Sequence, residues 1–424
     1  MSQDNSTSKN TAGKNIIIAQ SGGPTVAINA SLAGVISAAN DNADYNTIYG
    51  SIYGIHGILN DNLLNLSEKI KEIPDFIETL KVSPAMYLGS CRYKLPDYED
   101  DDAPYAFIFN QFKKYNIGAF FYIGGNDSMD TVLKLSHYAR QIGSDIRIIG
   151  IPKTIDNDLC ITDHTPGYGS AAKYVAASIL EIAHDTFIYS VPSVTIVEIM
   201  GRDAGWLTAA SALARNDYND APHLIYFPEV AFDKELFIED IKAQLKIRNN
   251  VIIAVSEGIK DKNGSYISAS TAVNDQFGHS QLSGTGKCLE YMVKEALNIK
   301  VRSIEINVLQ RCAAHISSLT DLNESFGLGA KAVEFASNGQ TKCMLTLERV
   351  SDSPYETKIN SADIDGIANE AKSIPREWIN ERGNDITDKL YTYMAPLIVG
   401  EPIIEYQDGL PVYLPVNHLD KDIS

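Results

Sequence analysis

Short apolar runs recur along the chain at 15–20, 119–123, 146–151, 194–200 and 251–255. Each closes on small or turn-forming residues: Ser21-Gly22-Gly23, Gly124-Gly125, Pro152, Gly201 and Ser256-Glu257-Gly258. Such runs predict strands buried in parallel sheets, where no solvent-facing polar row is needed. Helical patterns fill the gaps, at 170–184 and 204–215 among others. Strands alternating with helices predict a doubly wound α/β architecture. Ligands of such sheets bind beyond the carboxyl ends of the strands. The turns sit at those ends, so they are expected to face one cleft or two adjoining ones. The stretch 93–104 breaks the pattern. Its residues Asp97, Glu99, Asp100, Asp101 and Asp102 suit a solvated surface insertion, with a functional lid as the lesser alternative.

Length and charge narrow the functional classes. A chain of 424 residues suffices for two or three domains of roughly 100–200 residues. At 44% hydrophobic and 21% charged residues, well-packed cores are expected. A net charge of −18, from 36 basic and 54 acidic side chains, argues against nucleic-acid and anionic-membrane surfaces. It leaves phosphate substrates open, because a few Arg and Lys can reverse the field inside a cleft. The five cysteines, Cys91, Cys160, Cys288, Cys312 and Cys343, form no C-x-x-C pair. Reduced thiols in a cytoplasmic protein are expected, not a disulfide framework or a structural zinc. Residues 1–14 are polar and read as a disordered tail, neither signal peptide nor anchor. No run of about 18 apolar residues occurs, so no membrane span is expected.

The candidate chemistry lies in the turns. Gly22 and Gly23 let backbone N–H groups approach an anion, and the following helix adds its positive end. Strand-to-helix turns also use glycine for steric reasons alone. The pattern is not G-x-x-x-x-G-K-[ST], which excludes an ordinary P-loop. In Gly124-Gly125-Asn126-Asp127-Ser128, Ser128 is placed to cap a helix and Asp127 to complement its dipole. Beside a phosphate site the same carboxylate needs a metal or a lysine to relieve repulsion.

The most informative stretch is Pro152-Lys153-Thr154-Ile155-Asp156-Asn157-Asp158. In extended backbone Asp156 and Asp158 point the same way. One can act as a base toward a sugar hydroxyl while the other holds a metal or orients the first. Lys153 offers a point charge to a phosphoryl group. A solvated acidic turn is the alternative. Arg202, in Met200-Gly201-Arg202-Asp203, can grip a phosphate or hydroxyl, or pair with Asp203. Glu257 is a strand-end carboxylate suited to sugar hydroxyls. Arg302 and Arg311 bracket an apolar, strand-like run; they suit a dianionic phosphate or are ordinary surface arginines. Together the parts fit phosphoryl transfer, which needs positioning and charge neutralisation more than covalent chemistry.

In their order, the segments SGGPTVAINA, LGSCR, GGNDSMD, PKTIDNDL, IMGRDAGW, VSEG and LQR resemble the phosphofructokinase family over 15–311. Each glycine pair alone is common, whereas PKTIDND with MGR downstream is specific. The resemblance implies an α/β protein of two doubly wound three-layer domains with the active site in the cleft between them. A donor-binding domain over 15–167, completed by part of 311–390, would precede a sugar-phosphate domain over 168–310 and a C-terminal segment over 391–424. Also implied are Mg2+ as cofactor, fructose 6-phosphate as acceptor, and a homodimer or larger homo-oligomer with shared sites. Asp156 falls on the family's catalytic base, which takes the proton of the sugar's C1 hydroxyl, with Thr154 and Asp158 in support. Met200, Gly201, Arg202 and Glu257 fall on sugar-phosphate contacts. Arg302 and Arg311 match arginines that bind the 6-phosphate, one usually from the neighbouring subunit. Gly22, Arg92, Gly125 and Ser128 fall on donor-phosphate positions.

Two residues bear on the donor. ATP-using members resemble GGDGS with PGTIDND, and pyrophosphate-using members GGDDS with PKTIDND; this chain has GGNDS and PKTIDND. Asp127 fills the place of a small Gly, where its carboxylate would collide with and repel an ATP α-phosphate. Lys153 replaces the other Gly and can stabilise the phosphate leaving pyrophosphate. The resemblance therefore implies reversible transfer from pyrophosphate to fructose 6-phosphate. An ATP-dependent kinase and a catalytically silent paralogue are the alternatives; the intact Asp156–Asp158 pair speaks against the second. Some positions depart from the family pattern. Asn126 replaces a metal-binding Asp, which leaves the Asn126 carbonyl or the Asp127 carboxylate as the Mg2+ ligand. Ser193 replaces an arginine that reaches the neighbour's sugar phosphate, and Val308 a histidine near the 6-phosphate.

Overall fold

The computed structural model describes residues 13–91, 93–268, 273–274, 280–281, 284–366 and 371–422. Along the chain the main strands are β1 (Lys14–Gln20), β2 (Tyr45–Ser51), β3 (Leu63–Asn65), β4 (Ile117–Gly124), β5 (Arg147–Pro152), β6 (Ser193–Ile199), β7 (Leu224–Tyr226), β8 (Asn250–Ser256), a short antiparallel pair β9 (Val273–Asn274) and β10 (Ser280–Gln281), β11 (Lys300–Glu305), β12 (Cys343–Asp352) and β13 (Tyr355–Asp363). Seven form one sheet in the order β13-β12-β5-β4-β1-β2-β3. It is parallel except at its edges, where β3 and β13 run antiparallel to their neighbours. A second, wholly parallel sheet has the order β11-β6-β8-β7. The five apolar runs become β1, β4, β5, β6 and β8.

Burial on both faces explains the composition of these strands. In the first sheet Ile16 and Ile18 face one core with Phe121 and Ile149, while Ile17 and Ala19 face the other with Phe120 and Ile148. The second sheet repeats the device. Val197 and Ile199 pack with Ile252 and Ala254 on one side, and Val194 and Ile196 with Val251 and Ile253 on the other. Each sheet is thus the middle layer of three.

The last third of the chain returns to both layers. Helix Leu319–Ser337 lies against helix Ile28–Asn40 so closely that a Cβ on Gly34 would run into the Phe326 carbonyl oxygen. It leads into β12 and β13 at the edge of the first sheet. Helix Asp388–Met394 instead adds Leu390, Tyr393 and Met394 to a core of the second.

Some local expectations change. Lys14, assigned to the polar tail, opens β1 and pairs with Tyr45; residues 1–12 lie outside the described residues. The apolar run between Arg302 and Arg311 is not one strand. Its pairing with β6 ends at Glu305, Asn307 takes a left-handed φ of +49°, and a 3-10 turn Asn307–Arg311 follows. Asn tolerates that conformation better than most residues. The acidic stretch after Tyr93 is anchored: Leu95 is buried, and Tyr98 meets Tyr105 and Tyr138 edge-on. A helix already starts at Ala103, with Pro104 in its first turn. Among the described residues no helix is long and apolar enough to cross a membrane.

Candidate active site

The carboxyl ends of β1, β4, β5, β6 and β8 open on one cleft of about 550 Å³, lined from both sheets. The turn after β1 contributes Gly22 and Gly23. That after β4 contributes Gly125, Asn126, Asp127 and Ser128, and that after β5 Lys153, Thr154, Asp156 and Asp158. Met200 and Arg202 follow β6, Glu257 follows β8, and Arg311 ends the 3-10 turn. Gly201 sits behind this lining and donates its N–H to Glu257 Oε1 at 3.3 Å. Arg302 is not brought in. Its guanidinium turns away to Asp185 (2.7 Å), Thr186 (2.9 Å) and Thr195 (3.1 Å). Arg92 lies outside the described residues.

Lys153 is 3% exposed, with Nζ donating to the Gly23 carbonyl at 2.8 Å. Gly22 makes room for it: its φ is +81°, and a Cβ there would lie 3.0 Å from Nζ. Burial pulls the lysine's pKa down to about 8, against the attraction of Asp156 and Asp158 and with the repulsion of Arg311. It remains an ammonium at neutral pH. An ammonium has more donors than one carbonyl can satisfy, so it is ready for an anion.

The backbone between the two carboxylates is a turn, not the extended segment expected. Asn157 is fully buried at a left-handed φ of +53°. Its side chain accepts the Thr165 N–H (3.0 Å) and donates to the Tyr393 hydroxyl (2.9 Å). Thr154 Oγ1 accepts the Asp156 N–H at 3.1 Å and so braces the same turn. Burial pushes both carboxyls above the usual carboxylate range. Lys153 and Arg202 oppose this at Asp156, whereas the Asp156 charge adds to it at Asp158. Burial likewise pushes Glu257 up to about 7. A carboxylate so raised is a better base near neutral pH.

Ser128 does not cap its helix. Helix Asn126–Gln141 has no side-chain cap, and Ser128 Oγ shares a 2.5 Å hydrogen bond with Ser21 Oγ. Gly124 permits this, since any Cβ there would strike Ser128. Asp127 is left exposed in the cleft. Nor does Asp203 pair with Arg202; Lys260 holds it at 3.1 Å.

Three side chains that line the cleft each keep a buried polar atom without a partner. Arg202 Nε, Arg311 Nε and Asn126 Oδ1 are all buried and unbonded, a condition that costs about 1–3 kcal/mol per group when nothing fills it. The arginines call for anions. Asn126 donates its Nδ2 to Asp158 Oδ2 at 3.3 Å, and its Oδ1 is left without a partner in the cleft that Asp127 and Asp158 also line. Among the described residues no three of His, Cys, Asp and Glu converge as a metal cage. An all-oxygen set of this kind still fits Mg2+, which takes one or two carboxylates and completes its shell with water and substrate phosphates.

Among the contributors sequence reasoning missed are Tyr93, Tyr122 and Thr131 and a whole segment distant in the chain. Ala371 and Ser373, from the last third, line the cleft. The Lys372 N–H donates to the Asp158 carbonyl at 2.7 Å, and Ala371 bridges Leu159. These are backbone contacts across some two hundred residues, and nothing in the local sequence signals them.

Lone cations facing paired carboxylates, between two doubly wound sheets, are what a phosphate-handling α/β enzyme requires. The chain belongs to the phosphofructokinase family, whose model matches residues 15–336. It is 40% identical over 400 residues to the pyrophosphate–fructose 6-phosphate 1-phosphotransferase of Halomonas elongata, covering 94% of each chain. The protein of the same name from Xanthomonas campestris is 40% identical over 408 residues, 96% of each. Among solved structures, the pyrophosphate-dependent phosphofructokinase of Nitrosospira multiformis superposes with a TM-score of 0.85 at 40% identity, over 95% of this chain and 96% of that one.

Proposed function

We propose that this chain transfers a phosphoryl group reversibly from pyrophosphate to the C1 hydroxyl of fructose 6-phosphate, giving fructose 1,6-bisphosphate and phosphate, as a cytoplasmic, Mg2+-dependent glycolytic enzyme. The observation that carries the donor is that Asp127 and buried Lys153 both line the glycine-turn end of the cleft. The carboxylate occupies space and adds charge where a longer polyphosphate would run. The ammonium faces the phosphate that must leave.

Each residue then has a task. Asp156 takes the C1 hydroxyl proton as the oxygen attacks, and Asp158 behind it keeps the turn's charge in place. Lys153 neutralises the charge that grows on the departing phosphate. Arg202 and Glu257 hold the sugar phosphate. Arg311 lies against the Gly23 turn, 3.4 Å from where a Cβ would stand, and so reaches both ends of the cleft. Asn126 and Asp127 would hold Mg2+, which offsets the charge of the diphosphate. Arg302, half-buried and turned away from this cleft, serves the cleft of a neighbouring copy in a homo-oligomer.

The bonds broken and made lie closer in energy than in an ATP reaction, so both directions proceed. Fructose 1,6-bisphosphate incubated with inorganic phosphate and Mg2+ should yield pyrophosphate by phosphorus NMR, and none after chelation. Bisphosphate that stays intact with the active-site residues unaltered would overturn the proposal.

A further inference from the structure

The turn that carries the two carboxylates is hydrogen-bonded from behind to a residue that does not line the cleft. Tyr393 stands on helix Asp388–Met394, in sequence 236 positions from Asn157. Its hydroxyl accepts the Asn157 Nδ2 hydrogen bond at 2.9 Å and donates to the Asp163 carbonyl at 2.7 Å. It therefore ties the middle of the turn to the segment that runs back beside it. Asn157 holds the turn in a left-handed conformation, which Asn adopts more readily than most L-residues and which its buried hydrogen-bond partners hold in place. The Tyr393 hydroxyl is one of the partners that do so; the Thr165 N–H is another.

The strut itself is rigid. The Tyr393 ring is caged between Trp206 (centroids 5.4 Å apart) and Trp378 (5.5 Å), with the Arg349 guanidinium 4.6 Å over its face. Arg349 also donates to the Tyr393 carbonyl (2.9 Å) and to Asp163 Oδ1 (3.0 Å). Arg349 thus holds the ring, its backbone and the Asp163 side chain, while the Asp163 carbonyl that accepts the hydroxyl also accepts from Lys372 Nζ at 2.7 Å. Asn157 links this assembly through its side chain to Asp156 and Asp158, which flank it in sequence; Lys372 adds a backbone link, donating its N–H to the Asp158 carbonyl at 2.7 Å.

We propose that Tyr393 is a positioning residue for phosphoryl transfer: through Asn157 it sets the direction of Asp156 and Asp158 toward the reacting oxygen. This rests on the function proposed above, and it assigns chemistry-bearing work to a C-terminal helix that contributes nothing to the cleft surface. A misplacement of about 1 Å at a reacting group can cost about a hundredfold in rate, while binding groups elsewhere in the cleft stay put.

The test compares Tyr393→Phe, which keeps the caged ring and removes only the hydroxyl, with Asn157→Gly, which keeps the left-handed backbone and removes the amide. Each should lower kcat by at least about tenfold and leave KM for fructose 6-phosphate and pyrophosphate within about twofold. The double variant should be no slower than the worse single one, because both remove the same link. Independently of turnover, amide hydrogen exchange over 156–165 should quicken by about tenfold or more in Tyr393→Phe, with β1 unchanged. Unaltered exchange, unaltered kcat, or a doubled loss in the double variant would overturn the strut. If wild-type protein showed no transfer from pyrophosphate, the function would fail while the exchange measurement still decided the role of Tyr393.

Discussion

Replacing Lys153 by Met should destroy activity and stabilise the protein at once. The lysine is 3% exposed, and burial lowers its pKa from 10.5 to about 8. At about 1.4 kcal/mol per pH unit, keeping the ammonium in the fold below pH 8 costs about 3 kcal/mol relative to the unfolded chain. Methionine has a similar shape and no charge to desolvate. It forfeits the bond to the Gly23 carbonyl, worth about 1 kcal/mol, so Lys153→Met should gain about 2 kcal/mol near neutral pH. The sign with pH is fixed by proton counting. Between about 8 and 10.5 the unfolded lysine binds a proton that the folded one has released, so wild-type stability rises across that window. The variant lacks this rise, and its advantage should shrink as the pH climbs. Turnover with pyrophosphate should fall by about 10²–10³, the usual cost of one charge-stabilising donor. Urea unfolding near neutral and at alkaline pH, beside a coupled assay for fructose 1,6-bisphosphate, reads both effects. A variant less stable than wild type at neutral pH, or one still active, would refute the reasoning.

Other outcomes follow from the same geometry. Asp156→Ser should lose about 10²–10⁴ in kcat, the contribution of a general base, while calorimetry still detects fructose 6-phosphate binding; unchanged turnover would remove Asp156 from its role. Asp127→Gly combined with Lys153→Gly should open the cleft to ATP at the expense of pyrophosphate, and a double variant inert toward ATP would contradict the donor argument. Sedimentation of active enzyme should find a dimer or larger species; a fully active monomer would leave Arg302 without the task assigned to it.

How much of this was legible in the sequence depended on whether a signal is local. Strands β1, β4, β5, β6 and β8 were readable because burial on both faces demands an unbroken apolar run. Strand β13 was not: its residues alternate between half-buried and exposed, as an edge strand's do, and its sequence resembles a loop. The turn residues Gly22, Asp127, Lys153, Asp156 and Arg202 could be picked out because strand-end turns in such sheets converge, and the structure places all of them on one cleft. The spacing of Arg302 and Arg311 said nothing of direction. A strand that stops at Glu305 and turns at Asn307 sends one into the cleft and the other away from it. The hold of Tyr393 on Asn157, and of Lys372 on Asp158, was silent for a different reason. Hydrogen bonds between segments two hundred residues apart leave no periodicity or motif in either one.

The most direct measurement is fructose 6-phosphate phosphorylation by the purified protein with Mg2+ and either pyrophosphate or ATP, side by side. Formation of fructose 1,6-bisphosphate with pyrophosphate and not with ATP is the expected result. Formation with ATP alone would leave the fold and Asp156 standing and contradict the roles given to Asp127 and Lys153.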